Sequence, residues 1–167
     1  EALLTGEATG DRVGESIAPA GDIDGDGLDD LVIGASSNDD GGSGAGKTYL
    51  VFGDSVIAGT TTLADADLAW IGEAAGDASG ASVSGNHDID GDGLTDLLIG
   101  AWGNDDAGSA AGKAYVVLSS ALPADGAPIS SGSVGLIGEG DNDYAGYSVA
   151  IPGDVDGDGA ADLLIGA

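Results

Sequence analysis

The chain has no cysteine and no methionine, one histidine, one phenylalanine and three basic residues, against 30 Asp and Glu. Without cysteine there is no disulfide framework, no thiol nucleophile and no thiolate metal site, and thiol chemistry cannot report the compartment. The lone histidine, His87, replaces Gly21 and Gly153 of the other units and has no repeated partner, so a catalytic role for it is not expected. The basic residues are Arg12, Lys47 and Lys113, and the formal net charge is −27. So acidic a surface repels a phosphate backbone, which excludes nucleic acid as a partner, and repels a bare anionic membrane equally. No apolar run approaches the ~20 residues that span a bilayer, so membrane insertion is not expected. With no Met, residue 1 is not a translation start, and a mature or excised segment is expected.

What the chain has in excess is aspartate and glycine, and both are ordered. Three nonapeptides of the form DxDGDGxxD stand 66 residues apart: Asp22–Asp30, Asp88–Asp96 and Asp154–Asp162. Each runs directly into an apolar stretch, Leu31–Ala35, Leu97–Ala101 and Leu163–Ala167. Carboxylates at loop positions 1, 3, 5 and 9 repel one another unless a cation offsets the repulsion. Hard oxygen donors in such number on a short flexible loop suit Ca2+ better than Mg2+.

The expected ligands follow position by position. In the first loop Asp22, Asp24 and Asp26 alternate along a curled segment, so their carboxylates converge, and Asp30 closes the shell. The same roles fall to Asp88, Asp90, Asp92 and Asp96 in the second loop, and to Asp154, Asp156, Asp158 and Asp162 in the third. Position 7, which is Leu28, Leu94 or Ala160, donates a backbone carbonyl, so its side chain need not be polar. Gly25 and Gly27 remove side chains where the backbone turns sharply and takes positive φ. An EF-hand is excluded because its twelfth residue is a bidentate Glu and helices flank it, whereas here the twelfth residue is Ile33, Ile99 or Ile165. A calcium-binding array with a continuous nine-residue period is excluded by the 66-residue spacing. Three Ca2+ sites, one per repeat, are expected between β-strands.

Self-similarity extends beyond the loops without a gap. Gly6-Glu7 recurs as Gly72-Glu73 and Gly138-Glu139; Asp11, Gly14 and Ser16 recur as Asp77, Gly80 and Ser82, then Asp143, Gly146 and Ser148. Asn38-Asp39-Asp40 returns as Asn104-Asp105-Asp106, and Ala45–Tyr49 as Ala111–Tyr115. The second unit offers four strand-like segments, at 80–86, 96–101, 112–118 and 133–138, separated by Gly, Asn, Asp and Pro clusters. Four strands in a repeat of this length indicate an all-β chain of β-propeller blades, each of four antiparallel strands. We expect one domain over 1–167, with units at 6–71, 72–137 and a shorter 138–167, or about two and a half blades. The chain opens on an outer strand, Leu3–Thr5, matching Trp70-Ile71.

The pattern resembles the FG-GAP repeats of the integrin α-subunit β-propeller and their bacterial relatives. The acidic loop, the Asp-Leu-Leu-Ile-Gly-Ala segment and the Ala-Gly-Lys-x-Tyr strand carry the resemblance over essentially the whole chain. The naming motif is degenerate: "FG" reads Val13-Gly14, Ser79-Gly80 and Ala145-Gly146, and "GAP" reads Gly34-Ala35-Ser36, Gly100-Ala101-Trp102 and Gly166-Ala167. The resemblance implies a larger propeller, since seven blades of this size need about 460 residues. Open blades present unpaired strand edges, so further blades, further copies or another protein are expected to cover them.

Other features are absorbed by this reading. Gly41–Thr48 satisfies the pattern GxxxxGK[ST], but Thr48–Phe52 continues as a strand where a phosphate loop would open a helix. Ser16–Ala18, Ser82–Ser84 and Ser148–Ala150 are small enough for innermost strands. Trp70, Trp102, Tyr115 and Tyr147 are expected to pack between blades rather than to form a sugar platform, and a glycan partner has no support from the sequence; Trp102 stands apart, at a loop where the first unit has Ser36. Loops of this sort need extracellular calcium, with dissociation constants of ~10⁻⁴–10⁻³ M, which favours the cell surface or exterior. Two functions are compatible: a non-enzymatic calcium-binding scaffold for adhesion or protein–protein contact, or the accessory propeller of a secreted hydrolase or lectin whose active site lies outside this chain.

Overall fold

The computed structural model describes residues 2–55 and 59–167; Glu1, where the expected domain begins, lies outside the described residues. Its strands are β1 (Ala2–Thr5), β2 (Val13–Gly21), β3 (Asp30–Ala35), β4 (Lys47–Val51), β5 (Gly59–Thr62), β6 (Leu68–Ile71), β7 (Ser82–His87), β8 (Asp96–Ala101), β9 (Lys113–Val117), β10 (Val134–Ile137), β11 (Ser148–Gly153) and β12 (Asp162–Gly166). They form two antiparallel four-stranded sheets, β2-β3-β4-β6 and β7-β8-β9-β10, and an antiparallel pair, β11-β12. The chain is therefore all-β, with successive sheets consistent with blades of a partial propeller. The strands of the second sheet coincide within two residues with the segments expected from the sequence. Among the described residues, no helix is long and apolar enough to cross a membrane.

The second strand of each sheet shows why its sequence is a continuous apolar run. In β8, Leu97 and Ile99 face back into a core shared with Val32, Leu50 and Trp70 of the first sheet. Leu98 faces forward into a core shared with Ile151 of the third unit. All six residues of β8 are buried, so the period-2 alternation sends apolar side chains to two different cores and leaves no polar face. In the third unit Leu163 and Ile165 pack back against the second sheet, while Leu164, equivalent to Val32 and Leu98, is 58% exposed.

Consecutive sheets touch along their first strands, β2 against β7 and β7 against β11. The small residues expected there do more than save space. Ser16 Oγ accepts the Val83 N–H at 2.9 Å, Ser84 Oγ accepts the Ile151 N–H at 3.0 Å, and Ser82 Oγ donates to the Gly146 carbonyl at 2.9 Å. Backbone groups of one sheet, including the Ile151 N–H at the bulge of β11, thus find a partner on its neighbour.

At the outer edge the clasp runs the other way. The connection between β9 and β10 reaches back over β6: the Trp70 indole N–H donates to the Pro123 carbonyl at 2.9 Å, the Ile71 N–H to Ala127 at 3.1 Å, and the Gly126 N–H to Ala69 at 2.8 Å. Ile71 there pairs in parallel with Pro128. One repeat earlier the same register joins Thr5 to Thr62, as the parallel pair β1-β5. Strand β5 is not predicted by the sequence spacing, because it exists through this contact with β1 rather than through a pattern of its own. Trp70 and Tyr115 are fully buried, as expected of residues that fill the space between sheets.

The closest approach between sheets is backbone to backbone. A Cβ at Gly34 would collide with the Gly80 carbonyl, and one at Gly100 with the Gly146 carbonyl. The Gly80 N–H in turn donates to the Gly100 carbonyl at 3.0 Å, and the Gly146 N–H to Gly166 at 3.0 Å. Gly100→Ala is therefore expected to push two sheets apart and destabilise the fold by at least the ~1–3 kcal/mol of an overpacked core. Chemical denaturation in calcium measures this, and an unchanged midpoint would mean that the sheets stand further apart than described.

Candidate metal centre

Each acidic nonapeptide joins the first strand of its sheet to the second, so three loops of one design project from the same end of the sheets. The loops hold their own shape through side-chain-to-backbone hydrogen bonds. In the first loop the Gly25 N–H donates to Asp22 Oδ1 at 2.8 Å and the Gly27 N–H to Asp22 Oδ2 at 3.0 Å. The Asp26 N–H donates to Asp24 Oδ1 at 3.0 Å and the Leu28 N–H to Asp26 Oδ1 at 2.7 Å. The second loop repeats all four bonds between 2.6 and 3.1 Å. The third repeats them between 2.6 and 3.0 Å. Gly25 and Gly27 take φ of 82° and 89°, with Gly91 and Gly93 at 82° and 95°, so the glycines supply the left-handed turns that were expected.

This curl brings the carboxylates of positions 1, 3 and 9 together in every loop. Ligand oxygens of Asp22, Asp24 and Asp30 lie within 4.8 Å of one another, and the same holds for Asp88, Asp90 and Asp96 and for Asp154, Asp156 and Asp162. The position-5 residues Asp26, Asp92 and Asp158 stand outside these groups, each turned to accept the N–H two residues on. Three converging hard anionic oxygens form a donor set that fits a hard divalent cation and does not fit a soft one.

The environment of the ninth residue distinguishes it from the others. Asp30 is fully buried, and both its oxygens accept backbone N–H groups, from Ile23 at 2.8 Å and Gly53 at 2.8 Å. Asp96 does the same with Ile89 at 2.7 Å and Ser119 at 2.9 Å. The ninth residue thus ties the loop to the far end of the third strand. Burial raises the Asp30 carboxyl above the usual range, against the Ile23 and Gly53 N–H groups, and the charges of Asp24 and Asp26 raise it further. Asp88, at the exposed first position, is held below the usual range, chiefly by the Gly93 N–H. Carboxylates that raise one another's proton affinity at such range are those that a bound cation would relieve.

His87 takes the place of Gly21 and Gly153 just before its loop. Those glycines have φ of 72° and 85°, whereas in the second unit the left-handed turn moves to Asn86, at 70°. His87 Nε2 lies where a side chain on Gly153 would have to stand, and Nδ1 is buried without a hydrogen-bond partner.

The structure also assembles a group that spacing alone did not identify. Lys47 and Lys113, the only lysines, sit in the third strands with side chains 10% and 9% exposed. Lys113 Nζ bonds Glu73 at 3.1 Å and Asp106 at 2.7 Å and lies 5.0 Å from the centre of the Tyr115 ring. Lys47 repeats this with Glu7 at 3.0 Å, Asp40 at 2.7 Å and the Tyr49 ring at 5.2 Å. Alongside, Asn38 Nδ2 donates to Asp11 at 3.0 Å and Asn104 Nδ2 to Asp77 at 3.1 Å. Burial works against the lysine charge, yet the paired carboxylates hold both ammonium groups above their ordinary range. The recurrence of Glu7, Asp40 and Lys47 one repeat on was the available signal; that they meet across 40 and 7 residues was not. This knot fastens the loop entering each sheet to the loop after its second strand.

Residues 13–51, which contain the first acidic loop, match the family model described as FG-GAP repeat. The chain is 29% identical over 126 residues to integrin alpha pat-2 of Caenorhabditis briggsae, covering 75% of this chain and 10% of that protein. It is 34% identical over 101 residues to human integrin alpha-IIb, covering 60% and 9%, and 34% identical over 103 residues to integrin alpha-5 of Xenopus laevis, covering 62% and 10%. The chain spans about a tenth of the length of these relatives. It resembles the FG-GAP repeats of the integrin α-subunit propeller, in agreement with the reading of its motifs.

Lys113→Met removes the one cation from between Glu73, which is mostly buried, and Asp106, which is half exposed. The expected loss of stability is about 2–3 kcal/mol, below the ~3–5 kcal/mol of a fully buried pair because Asp106 is half exposed. Equilibrium denaturation tests it, and a loss under about 0.5 kcal/mol would place the knot in solvent.

Proposed function

We propose that this chain is a non-enzymatic, calcium-binding β-propeller scaffold for adhesion or protein–protein contact at the cell surface or outside the cell. The observation that carries the proposal is the threefold convergence of Asp carboxylates in loops of one conformation. The resemblance to integrin α-subunits points the same way. With it we adopt a single domain built of units 6–71, 72–137 and 138–167.

Asp22, Asp24 and Asp30, Asp88, Asp90 and Asp96, and Asp154, Asp156 and Asp162 would hold the ions. Asp26, Asp92 and Asp158 and the carbonyls of Leu28, Leu94 and Ala160 would complete the shells. Calcium supplies positive charge where each loop concentrates negative charge, and three ions would bring the formal charge from −27 to about −21. The remaining charge keeps the surface highly soluble and turns anionic partners away. The chain's own residues do the rest: in the first two units the ninth aspartate couples the loop to the first turn after the third strand, so an ordered loop fixes three strands of its sheet. A scaffold that uses millimolar calcium in this way is ordered outside the cell and loosened inside it.

Calcium should raise the unfolding temperature and chelator should lower it. With a dissociation constant of ~0.1 mM per site, ~10 mM calcium contributes about 2.7 kcal/mol at each loop. A melting curve that is the same in calcium and in chelator would sink the proposal.

Asp90→Ala should empty the middle loop alone, because the three groups lie in separate loops and share no residue. Calorimetric titration should then count one calcium fewer per chain. Loss of every site at once would show that the loops act as a single cluster.

A further inference from the structure

The end of the sheets opposite the acidic loops carries a second site. Of the aromatic residues, Trp70, Tyr49 and Tyr115 are fully buried and Phe52 packs against a core. The remaining three, Trp102, Tyr144 and Tyr147, gather on one surface between the second and third units, with the Trp102 ring 5.9 Å from Tyr144 and 6.4 Å from Tyr147. Tyr144 and Tyr147 are 38% and 67% exposed, and Trp102 stands half-buried beside them.

The repeat itself shows that these rings are not needed to join two sheets. Trp102 stands where the first unit has Ser36, and Tyr144 and Tyr147 stand where the second unit has Ala78 and Ala81. The backbone at Arg12, Ala78 and Tyr144 is the same, with φ of 57°, 55° and 58°. The first and second sheets meet with a serine and two alanines at the positions where the next junction has three aromatics. Large rings left on the surface of a junction that closes without them call for a different explanation from packing.

Trp102 and Tyr147 form one wall of a groove of about 300 Å³ that crosses all three units. Ala78 and Ala81 line its middle, and Arg12, Glu15 and Ser36 form the opposite wall. That wall is polar and locally neutral: Ser36 Oγ donates to Glu15 Oε2 at 2.6 Å, and the Arg12 guanidinium lies 3.9 Å from Glu15 Oε1. The volume is at the lower end of the ~300–1,000 Å³ range of small-ligand pockets.

We propose that this groove binds a neutral carbohydrate. A sugar ring has an apolar C–H face and a rim of hydroxyls, and the groove offers aromatic faces on one side and a carboxylate, a hydroxyl and a guanidinium on the other. The alternatives fit less well. An anionic ligand meets a chain of formal charge −27, and a cationic side chain meets a wall where Arg12 already occupies the carboxylate of Glu15. The proposal goes beyond the calcium scaffold and does not depend on it, since the groove shares no residue with the acidic loops.

The test uses the whole chain in calcium, titrated with maltotriose, cellotriose, chitotriose and N-acetyllactosamine while tryptophan fluorescence is followed. Trp70 is fully buried, so a change reports Trp102. At least one sugar should bind, and Trp102→Ser and Tyr147→Ala should each weaken it by about tenfold or more. Both substitutions install residues that the repeat already uses at these positions, so the melting temperature should not move. Glu15→Gln should weaken the same sugar without shifting the emission of the free protein. The proposal fails if none of these sugars binds at about 10 mM. It also fails if binding survives in the Trp102→Ser, Tyr147→Ala double variant, or if N-acetylarginine amide binds through Trp102 and the sugars do not.

Discussion

The distance between consecutive sheets is set by glycine backbones in contact, Gly34 against Gly80 and Gly100 against Gly146. At that distance both faces of a sheet lie in a core, so beyond Asp96, whose carboxylate is satisfied by backbone N–H groups, β8 carries no polar side chain. The same distance lets serine hydroxyls of the first strands reach backbone groups of the neighbouring sheet, and lets the β9–β10 connection reach back over β6. Stability therefore resides in the contacts between units as much as within them. One repeat alone would leave one face of its sheet uncovered, as the 58% exposure of Leu164 shows.

Most of this architecture was legible because the repeat is unbroken. The acidic loop, the buried run and the lysine strand recur in register, so boundaries read from one unit could be checked against another. The features that escaped are those created by the meeting of distant segments. Strand β5 forms against β1, and nothing in residues 59–62 marks a strand. The lysine knot needs Glu73 beside Lys113, 40 residues away, and identical charges in two units do not say which of many carboxylates is the partner. At the loops, the glycine pattern predicted the turns, while the grouping of positions 1, 3 and 9 apart from position 5 is set by the curl of the folded loop.

The acidity of the chain is arranged in two ways that differ physically. In each knot a buried lysine is held between one mostly buried carboxylate and one half-exposed one, so its charge is balanced by the protein itself, and its value lies in fixing loops in register more than in net energy. In each acidic loop the carboxylates converge, and among the described residues their internal partners are mostly backbone N–H groups, joined in the second loop by the Ser119 hydroxyl on Asp92. The first arrangement holds in any ionic medium. The second depends on what the medium supplies. One repeat thus combines a permanent fastening at one end of its strands with a conditional one at the other.

That division bears on where the surface is free to differ. The residues that shape the acidic loops and the knot are the same in each unit where both occur, because each has a fixed geometric task. At the opposite end of the first and second strands the units retain the backbone, including the left-handed turn at Arg12, Ala78 and Tyr144, and change the side chains at that turn and three residues on while Asp11 and Ser16 recur. Glu15 becomes Ala81 and then Tyr147, and Ser36 becomes Trp102. A position whose conformation is preserved while its chemistry changes from charged to small to aromatic is determined by something other than folding. In a repeat protein this separates recognition from stability, since each unit can present a different side chain at the same point in space. The groove from Arg12 to Tyr147 is built from three such positions in a row, supported from below by contacts that do not vary.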